Sequence, residues 1–128
     1  MRLLRISKAE KRVIALFWKT ILKEKIKMSD EKIVLVARLK VREDSIEEAK
    51  RLALGIVADS RTETGCVNYD VHQAIDDPTV FVWHETWENK AALDNHFELP
   101  YFKEFFVAAG ALAAEEPQIS VTRMISEK

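Results

Sequence analysis

The sequence predicts an α+β fold in which four strands and two helical segments follow one another in the order βαββαβ. Three observations support this order. Residues 32–41 alternate like a β-strand, residues 45–60 carry apolar side chains at helical spacing, and two more strand patterns flank an Asp76-Asp77-Pro78 turn. The 128 residues suffice for one domain with a hydrophobic core of its own.

The first strand, over residues 32–41, is rich in β-branched side chains. Val34 and Val36 begin one face of it before Arg38 and Lys40 make that face polar. The other face is apolar throughout, with Ile33, Leu35, Ala37, Leu39 and Val41. Apolar residues on both faces indicate a strand that is covered on both sides for half of its length.

The first helix is predicted to begin at Ser45. Ser45 and Glu48, three residues apart, form a capping-box pattern. A buried stripe follows at helical spacing: Ile46, Ala49, Leu52, Ala53, Ile56, Val57 and Ser60. Gly65 is expected to end this helix or the turn after it.

The second half of the chain begins with a hairpin, because residues 66–75 and 80–87 are both strand-like and Asp76-Asp77-Pro78 is typical of a turn. Glu88 or Asn89 is then expected to cap a second helix. The remaining elements are a helix over residues 90–97, a break at Pro100, a resumed helix over 101–114, a stop at Pro117 and a strand over 119–125.

This order is that of the ferredoxin-like split βαβ unit, whose helices cover one face of a four-stranded sheet. On the third strand, Phe81, Trp83, Glu85 and Trp87 share one face, and Val80, Val82, His84 and Thr86 share the other. Both faces carry large apolar groups. We therefore expect a second copy of the chain to cover the open face and form a homodimer.

The net charge of −1 conceals two oppositely charged segments. Residues 1–27 contain nine Lys or Arg against two Glu, a net charge of +7. The rest of the chain has 11 basic and 19 acidic residues, a net charge of −8. An acidic domain lacks the clustered positive charge that nucleic-acid binding requires, so we expect no nucleic-acid partner.

Residues 1–27 form a basic N-terminal extension that reads as a helix, separate from a domain over residues 28–128. Its apolar side chains fall near one face: Ile14, Phe17, Trp18, Ile21 and Leu22. The extension is either a helix with weak membrane-surface affinity or a leader upstream of the functional start at Met28. Its apolar run is far too short to span a bilayer. The single cysteine, Cys66, excludes an intrachain disulfide and suits a cytoplasmic protein.

Several short motifs together resemble one family. They are the Glu63-Thr-Gly-Cys66 turn, Tyr69, Asp77-Pro78, Phe81, Glu85-Thr-Trp87, Ala91-Ala-Leu93 and His96. In this order they resemble the antibiotic biosynthesis monooxygenase (ABM) domain family, and within it the quinol-monooxygenase-like members. The resemblance covers about residues 32–124. It implies a dimeric α/β barrel in which two ferredoxin-like units pack sheet against sheet.

The resemblance leaves the reaction open, because members of this family include oxygenases of quinols and phenols, haem-degrading enzymes and an isomerase of a phosphorylated sugar. Haem degraders carry an Asn on the first strand, and residues 33–41 contain none. We expect a cofactor-independent monooxygenase that oxidises a quinol or similar aromatic with O2. The alternatives are a non-catalytic dimeric module that binds a small ligand, and an isomerase of a small phosphorylated sugar.

The candidate catalytic residues are His96, Glu85 and Tyr69. His96 is the expected base, because a histidine pKa lies near neutrality, about 6.5. Glu85 would have a raised pKa if it is buried, and could then move a proton. It could equally be a structural carboxylate that pairs with Arg38 or Arg123 across the sheet or across the dimer. Tyr69 could hydrogen-bond to a substrate or serve as core.

Aromatic side chains are the expected substrate-binding residues, since they can stack on a ring and close a flat apolar pocket. They are Trp83, Trp87, Phe97, Phe102 and Phe106. The plainer interpretation is that these residues form the core. No dinucleotide or phosphate-binding glycine motif is present, and the spacing of His72, His84 and His96 matches no zinc motif. We therefore expect neither cofactor nor metal.

Overall fold

The computed structural model of the chain describes residues 31–126, together with residues 8, 11, 12, 15 and 16. The predicted apolar face of the basic extension, and with it the proposed membrane-surface contact, lies outside these residues. Within the described part of the chain, none of the helices combines the length and apolar character needed to cross a membrane.

Seven regular elements confirm the predicted order βαββαβ, with the second helix in two pieces. They are β1 (Ile33–Lys40), α1 (Ile46–Arg61), β2 (Cys66–Gln73), β3 (Val80–Trp87), α2 (Lys90–Glu98), α3 (Pro100–Gly110) and β4 (Gln118–Thr122). The strands form one antiparallel sheet in the order β2-β3-β1-β4. This is the ferredoxin-like arrangement predicted from the sequence.

The two faces of the sheet have different surroundings. Leu35, Tyr69 and Glu85 lie side by side across three strands and point to the face that the helices cover. That face joins the core, whose fully buried members include Ile33, Trp87 and Leu93. The opposite face carries Val36, which is 37% exposed, and the exposed His84.

The helix ends test three predictions. The capping box at Ser45 is wrong: its side chain does not cap α1 but donates to Asp44, and Glu48 instead binds Arg51. Asn89 does cap α2, because its side-chain oxygen accepts from Ala92 N at 2.9 Å. Pro100 separates α2 from α3 as predicted and lies in the first turn of α3, where its missing N–H is no loss.

The turn between α1 and β2 packs closely against the start of α2. Gly65 has a φ of +90°, which side chains rarely tolerate. A Cβ at this position would lie 2.6 Å from the Cβ of Ala92, and the Gly65 carbonyl accepts from Glu88 N at 2.8 Å. The turn that carries Glu63 therefore depends on a glycine at position 65.

Candidate active site

An aromatic cavity lies between the helix-covered face of the sheet and α3. Its volume is ≈ 570 Å³, including the open mouth. Most of its lining is apolar: Leu35, Ala37, Leu39, Tyr69, Trp83, Phe97, Phe102, Phe105, Phe106, Ala109, Gly110, Pro117 and Ile119. Glu85 and Arg38 are the charged residues in that lining. Such a cavity suits a flat apolar ligand that carries a few polar groups.

Glu85 is the carboxyl group of the cavity wall. It lies on β3, directly opposite Leu35 and Tyr69, and is only 5% exposed. Its Oε1 accepts from Trp87 Nε1 at 3.0 Å. Burial raises its pKa to about 8, because the ionised form loses its hydration. A carboxyl group with such a pKa exchanges protons near neutral pH.

Among the described residues, neither Arg38 nor Arg123 pairs with Glu85. Arg38 Nη1 instead lies 3.0 Å from Glu115 Oε1, and Arg123 Nη1 lies 3.6 Å from Glu31 Oε1. Glu85 therefore has an indole N–H, not a cation, as its partner among the described residues.

Tyr69 and Trp83 complete the polar part of the wall. Tyr69 is fully buried, and burial raises its pKa well above the usual range, so its hydroxyl stays protonated. The Trp83 ring packs edge-on against Phe105, with 5.8 Å between ring centroids. Its Nε1 is buried and has no hydrogen-bond partner among the described residues.

His96 lies one layer behind the cavity and is not part of its lining. Its side chain is 0% exposed, and Nδ1 lies 2.7 Å from Glu63 Oε2. Tyr101 donates its hydroxyl to the same carboxylate oxygen. Burial lowers the pKa of His96 although Glu63 acts in the opposite direction. The imidazole is therefore neutral near pH 7.

Trp87 also lies behind the wall, where it joins His96 to Glu85. Its ring is 4.7 Å from the His96 ring, and its Nε1 bonds Glu85. The structure thus brings six of the eight sequence-predicted residues to the cavity, namely Tyr69, Trp83, Glu85, Phe97, Phe102 and Phe106. His96 and Trp87 form the second layer.

Sequence reasoning gave no site role to two residues of this region, Glu63 and Tyr101. Glu63 stands in a turn and Tyr101 in the first turn of α3, so no spacing rule links either to His96. Within the described part of the chain, no group of three or more His, Cys, Asp or Glu side chains is placed to hold a metal ion. His72 and His84 are exposed on the other face of the sheet.

Comparison with known proteins defines the family. The sequence profile of the family described as antibiotic biosynthesis monooxygenase matches residues 32–108. The chain belongs to this family. It is 35% identical over 95 residues to YcnE of Bacillus subtilis, a candidate monooxygenase, covering 74% of this chain and 99% of YcnE. An uncharacterized Synechocystis protein is 35% identical over 103 residues, 80% of this chain and 70% of that protein.

Solved structures of ABM-family and related proteins share the fold. PA3566 of Pseudomonas aeruginosa is 30% identical with a TM-score of 0.70, covering 79% of this chain and all of that one. Rv0793 of Mycobacterium tuberculosis is 24% identical with a TM-score of 0.72, covering 76% of this chain and 98% of that one. The second likeness concerns the fold alone.

Proposed function

We propose that this protein is a cofactor-independent monooxygenase that oxidises a quinol, or a similar hydroxylated aromatic, with O2. One observation carries the proposal: a buried carboxyl group with a pKa of about 8 lies in the wall of an aromatic cavity. Membership of the ABM family and likeness to the candidate monooxygenase YcnE support the reaction class.

The cavity favours an aromatic substrate because aromatic rings provide most of its larger surfaces. Trp83, Phe105 and Phe106 can stack on a flat ring or meet it edge-on. Arg38 is the one cation in the described lining, and it is paired with Glu115. This is little positive charge for a phosphate group, so the isomerase alternative is the less favoured one.

Proton transfer is the task proposed for Glu85. A phenolic hydroxyl has a pKa of about 10, so an ordinary carboxylate is a poor base for it. With a pKa of about 8, Glu85 is better matched, and its Oε2 has no partner among the described residues. Tyr69 lies opposite Glu85 on the neighbouring strand, and in the proposal its neutral side chain lines the space for the substrate beside Glu85.

The substrate anion supplies the electrons. The quinolate reduces O2, a carbon–oxygen bond forms at the ring, and cleavage of the O–O bond yields a hydroxylated quinone. The second oxygen atom leaves as water, and the proton taken by Glu85 returns to it. The quinol supplies all four electrons, so the reaction needs no further reductant. The apolar lining keeps bulk water from the anion.

The same proposal includes a homodimer, since the open face of the sheet is partly apolar. Val36 is 37% exposed there, opposite His84, and the half-buried Val82 lies on the same face opposite Arg38. A second copy that packs its sheet on this face would cover both side chains. The cavity lies on the opposite face and keeps its own mouth.

Oxygen uptake tests the proposal. Purified protein is mixed with menadiol in air-saturated buffer, and O2 consumption is compared with the protein-free rate. We expect uptake well above autoxidation, and one atom of oxygen-18 in the quinone when oxygen-18 gas is used. Uptake no faster than autoxidation would contradict the proposal and favour a binding module. Uptake that yields peroxide and unlabelled quinone would show an oxidase instead.

A further inference from the structure

Behind the cavity, Glu63, His96 and Tyr101 form a buried cluster that the proposed chemistry does not use. The three residues come from the α1–β2 turn, the end of α2 and the start of α3. Glu63 Oε2 accepts from Tyr101 and lies 2.7 Å from His96 Nδ1. The Glu63 side chain is 8% exposed and that of His96 is fully enclosed.

This arrangement fixes the tautomer of His96. A carboxylate oxygen can only accept, so the proton of the neutral imidazole must lie on Nδ1. Nε2 is then a bare acceptor. It is buried and has no hydrogen-bond partner among the described residues. A buried hydrogen-bond acceptor without a donor raises the free energy of the folded chain. A donor on a bound ligand would remove this cost.

Aromatic side chains surround the His96 ring, and the nearest is Trp87, with 4.7 Å between ring centroids. The His96 ring is 4.8 Å from Phe102, 5.6 Å from Tyr69 and 5.8 Å from Phe97, measured between ring centroids. All three of these residues also line the cavity. One aromatic layer therefore separates the His96 ring from the ligand space.

Phe97 and Phe102 both lie at helix ends, and Phe102 is the more exposed of the two, at 6% against 2%. Tyr69 belongs to a strand that pairs along its length with β3, whereas Phe102 lies in the first turn of α3, two residues after the Pro100 break. Helix ends open more readily than paired strands. A change of the Phe102 rotamer would join the cavity to the space beside His96.

We propose that a hydroxyl of an aromatic ligand donates to His96 Nε2 after Phe102 moves aside, and that Glu63 is the positioning residue that keeps this nitrogen bare. Tyr101 holds the Glu63 carboxylate in place for that role. The inference rests on the proposed function only in taking the cavity as the ligand site. It assigns His96 to binding the hydroxyl, beside Glu85 as the proton acceptor.

Nitrogen NMR of the histidine side chains tests the inference without any turnover. The probes are 2-naphthol and naphthalene, which share a ring system and differ in the hydroxyl. His72→Gln and His84→Gln, both exposed positions, assign the three histidines. We expect His96 to carry its proton on Nδ1, 2-naphthol to shift the bare Nε2 signal, and naphthalene to leave it unchanged.

Variants separate the positioning role from a merely structural one. Glu63→Gln is expected to give a mixture of His96 tautomers and to reduce the preference for 2-naphthol over naphthalene by about threefold or more. Glu104→Gln removes an exposed carboxylate of α3 and should change neither. Phe102→Leu replaces the ring between His96 and the cavity with a smaller side chain. It should therefore increase the change in the Nε2 chemical shift that 2-naphthol causes.

Three results would overturn the inference: a proton on Nε2 in the free protein, 2-naphthol bound by fluorescence titration without a change at His96, or no 2-naphthol binding at all. The proposed function fails separately. If 2-naphthol shifts the Nε2 signal but menadiol gives no oxygen uptake, the proposed monooxygenase function is contradicted and the inference about His96 is supported.

Discussion

His84 and Glu85 are adjacent in β3, yet they lie in opposite environments. His84 is exposed on the open face, where its Nδ1 lies 3.1 Å from the side chain of Asn68. Glu85 is enclosed on the helix-covered face, and its pKa is about 8. The alternation of a strand is enough to separate a solvated polar surface from a desolvated reactive one. The proposed function therefore assigns the chemistry to the helix-covered face, and four predictions test that assignment.

The largest expected effect comes from removing the Glu85 carboxyl. Glu85→Gln keeps the shape of the side chain but cannot exchange a proton. The rate of oxygen uptake from menadiol should fall about 10²- to 10³-fold, as for loss of a general base. His84→Gln is the matched change one residue away on the open face. Its rate of oxygen uptake should stay within about twofold of the wild-type rate. Equal losses in both variants would contradict the assignment by face.

The second prediction is that substitutions on the two faces of the sheet lower the free energy of unfolding by different amounts. Trp87→Phe leaves Glu85 Oε1 without its donor and also leaves a gap in the core, so we expect a loss of about 3 kcal/mol in the free energy of unfolding. Asn68→Ala removes hydrogen bonds to His84 and Asp70 on the half-exposed open face. It should cost about 1 kcal/mol or less. Urea unfolding measures both, and similar losses would argue against the distinction.

Assembly tests whether a second copy covers the open face. Val36→Asp places a charge in the middle of the proposed contact and should weaken the dimer about a hundredfold. Sedimentation velocity over a range of concentrations would show the monomer. Glu47→Lys, an exposed change on α1, should leave the dimer intact. A wild-type chain that is monomeric at all concentrations would remove the dimer from the proposal.

Stability should also depend on pH through Glu85. Its pKa is about 8 in the folded chain against an ordinary 4.5. Between these values the folded chain keeps a proton that the unfolded chain releases. The contribution of Glu85 is thus fully present below about pH 4.5 and falls as pH rises towards 8, by at most about 1.4 kcal/mol per unit. The difference in unfolding free energy between wild type and Glu85→Gln should decline across that window. A flat difference would mean that Glu85 is not desolvated.

The order of elements was predictable because local patterns set it. The strand over residues 80–87 was predicted with the bounds that the structure has, since its alternation ends at a turn and a helix cap. Other ends depend on partners that no local pattern shows. The last strand was expected to reach residue 125 but ends at Thr122, which pairs with Val34 near the start of β1. Beyond this pair, Ile33 is the one residue of β1 that remains.

The third helix was expected to continue to residue 114, but α3 ends at Gly110. Residue Ala113 instead bridges Val41, and Ala114 N donates to the Lys40 carbonyl at 2.8 Å. Here pairing with the extension of β1 overrides a helical preference. The capping box at Ser45 failed for a related reason, since nearby side chains offered competing hydrogen bonds.

The sequence was enough to predict the residues that line the cavity, but not the contacts in the layer behind it. Trp83, Glu85 and Phe102 were identified because alternation and helical spacing indicate which face they share. The layer behind the cavity was not, because the contact between Glu63 and His96 joins residues 33 positions apart from two different elements. Only the three-dimensional approach of the α1–β2 turn to α2 creates it.

That approach passes through Gly65, where there is no room for even one more methyl group beside Ala92. Gly65 does not line the cavity. It nevertheless sets the spacing between the turn that carries Glu63 and the helix that carries His96. For protein engineering, position 65 is thus a place from which the contact between Glu63 and His96 can be altered without a change to either residue. A methyl group added there would displace the turn that carries Glu63, whereas Gly55, in a helix with open space around it, would accept the same methyl group freely.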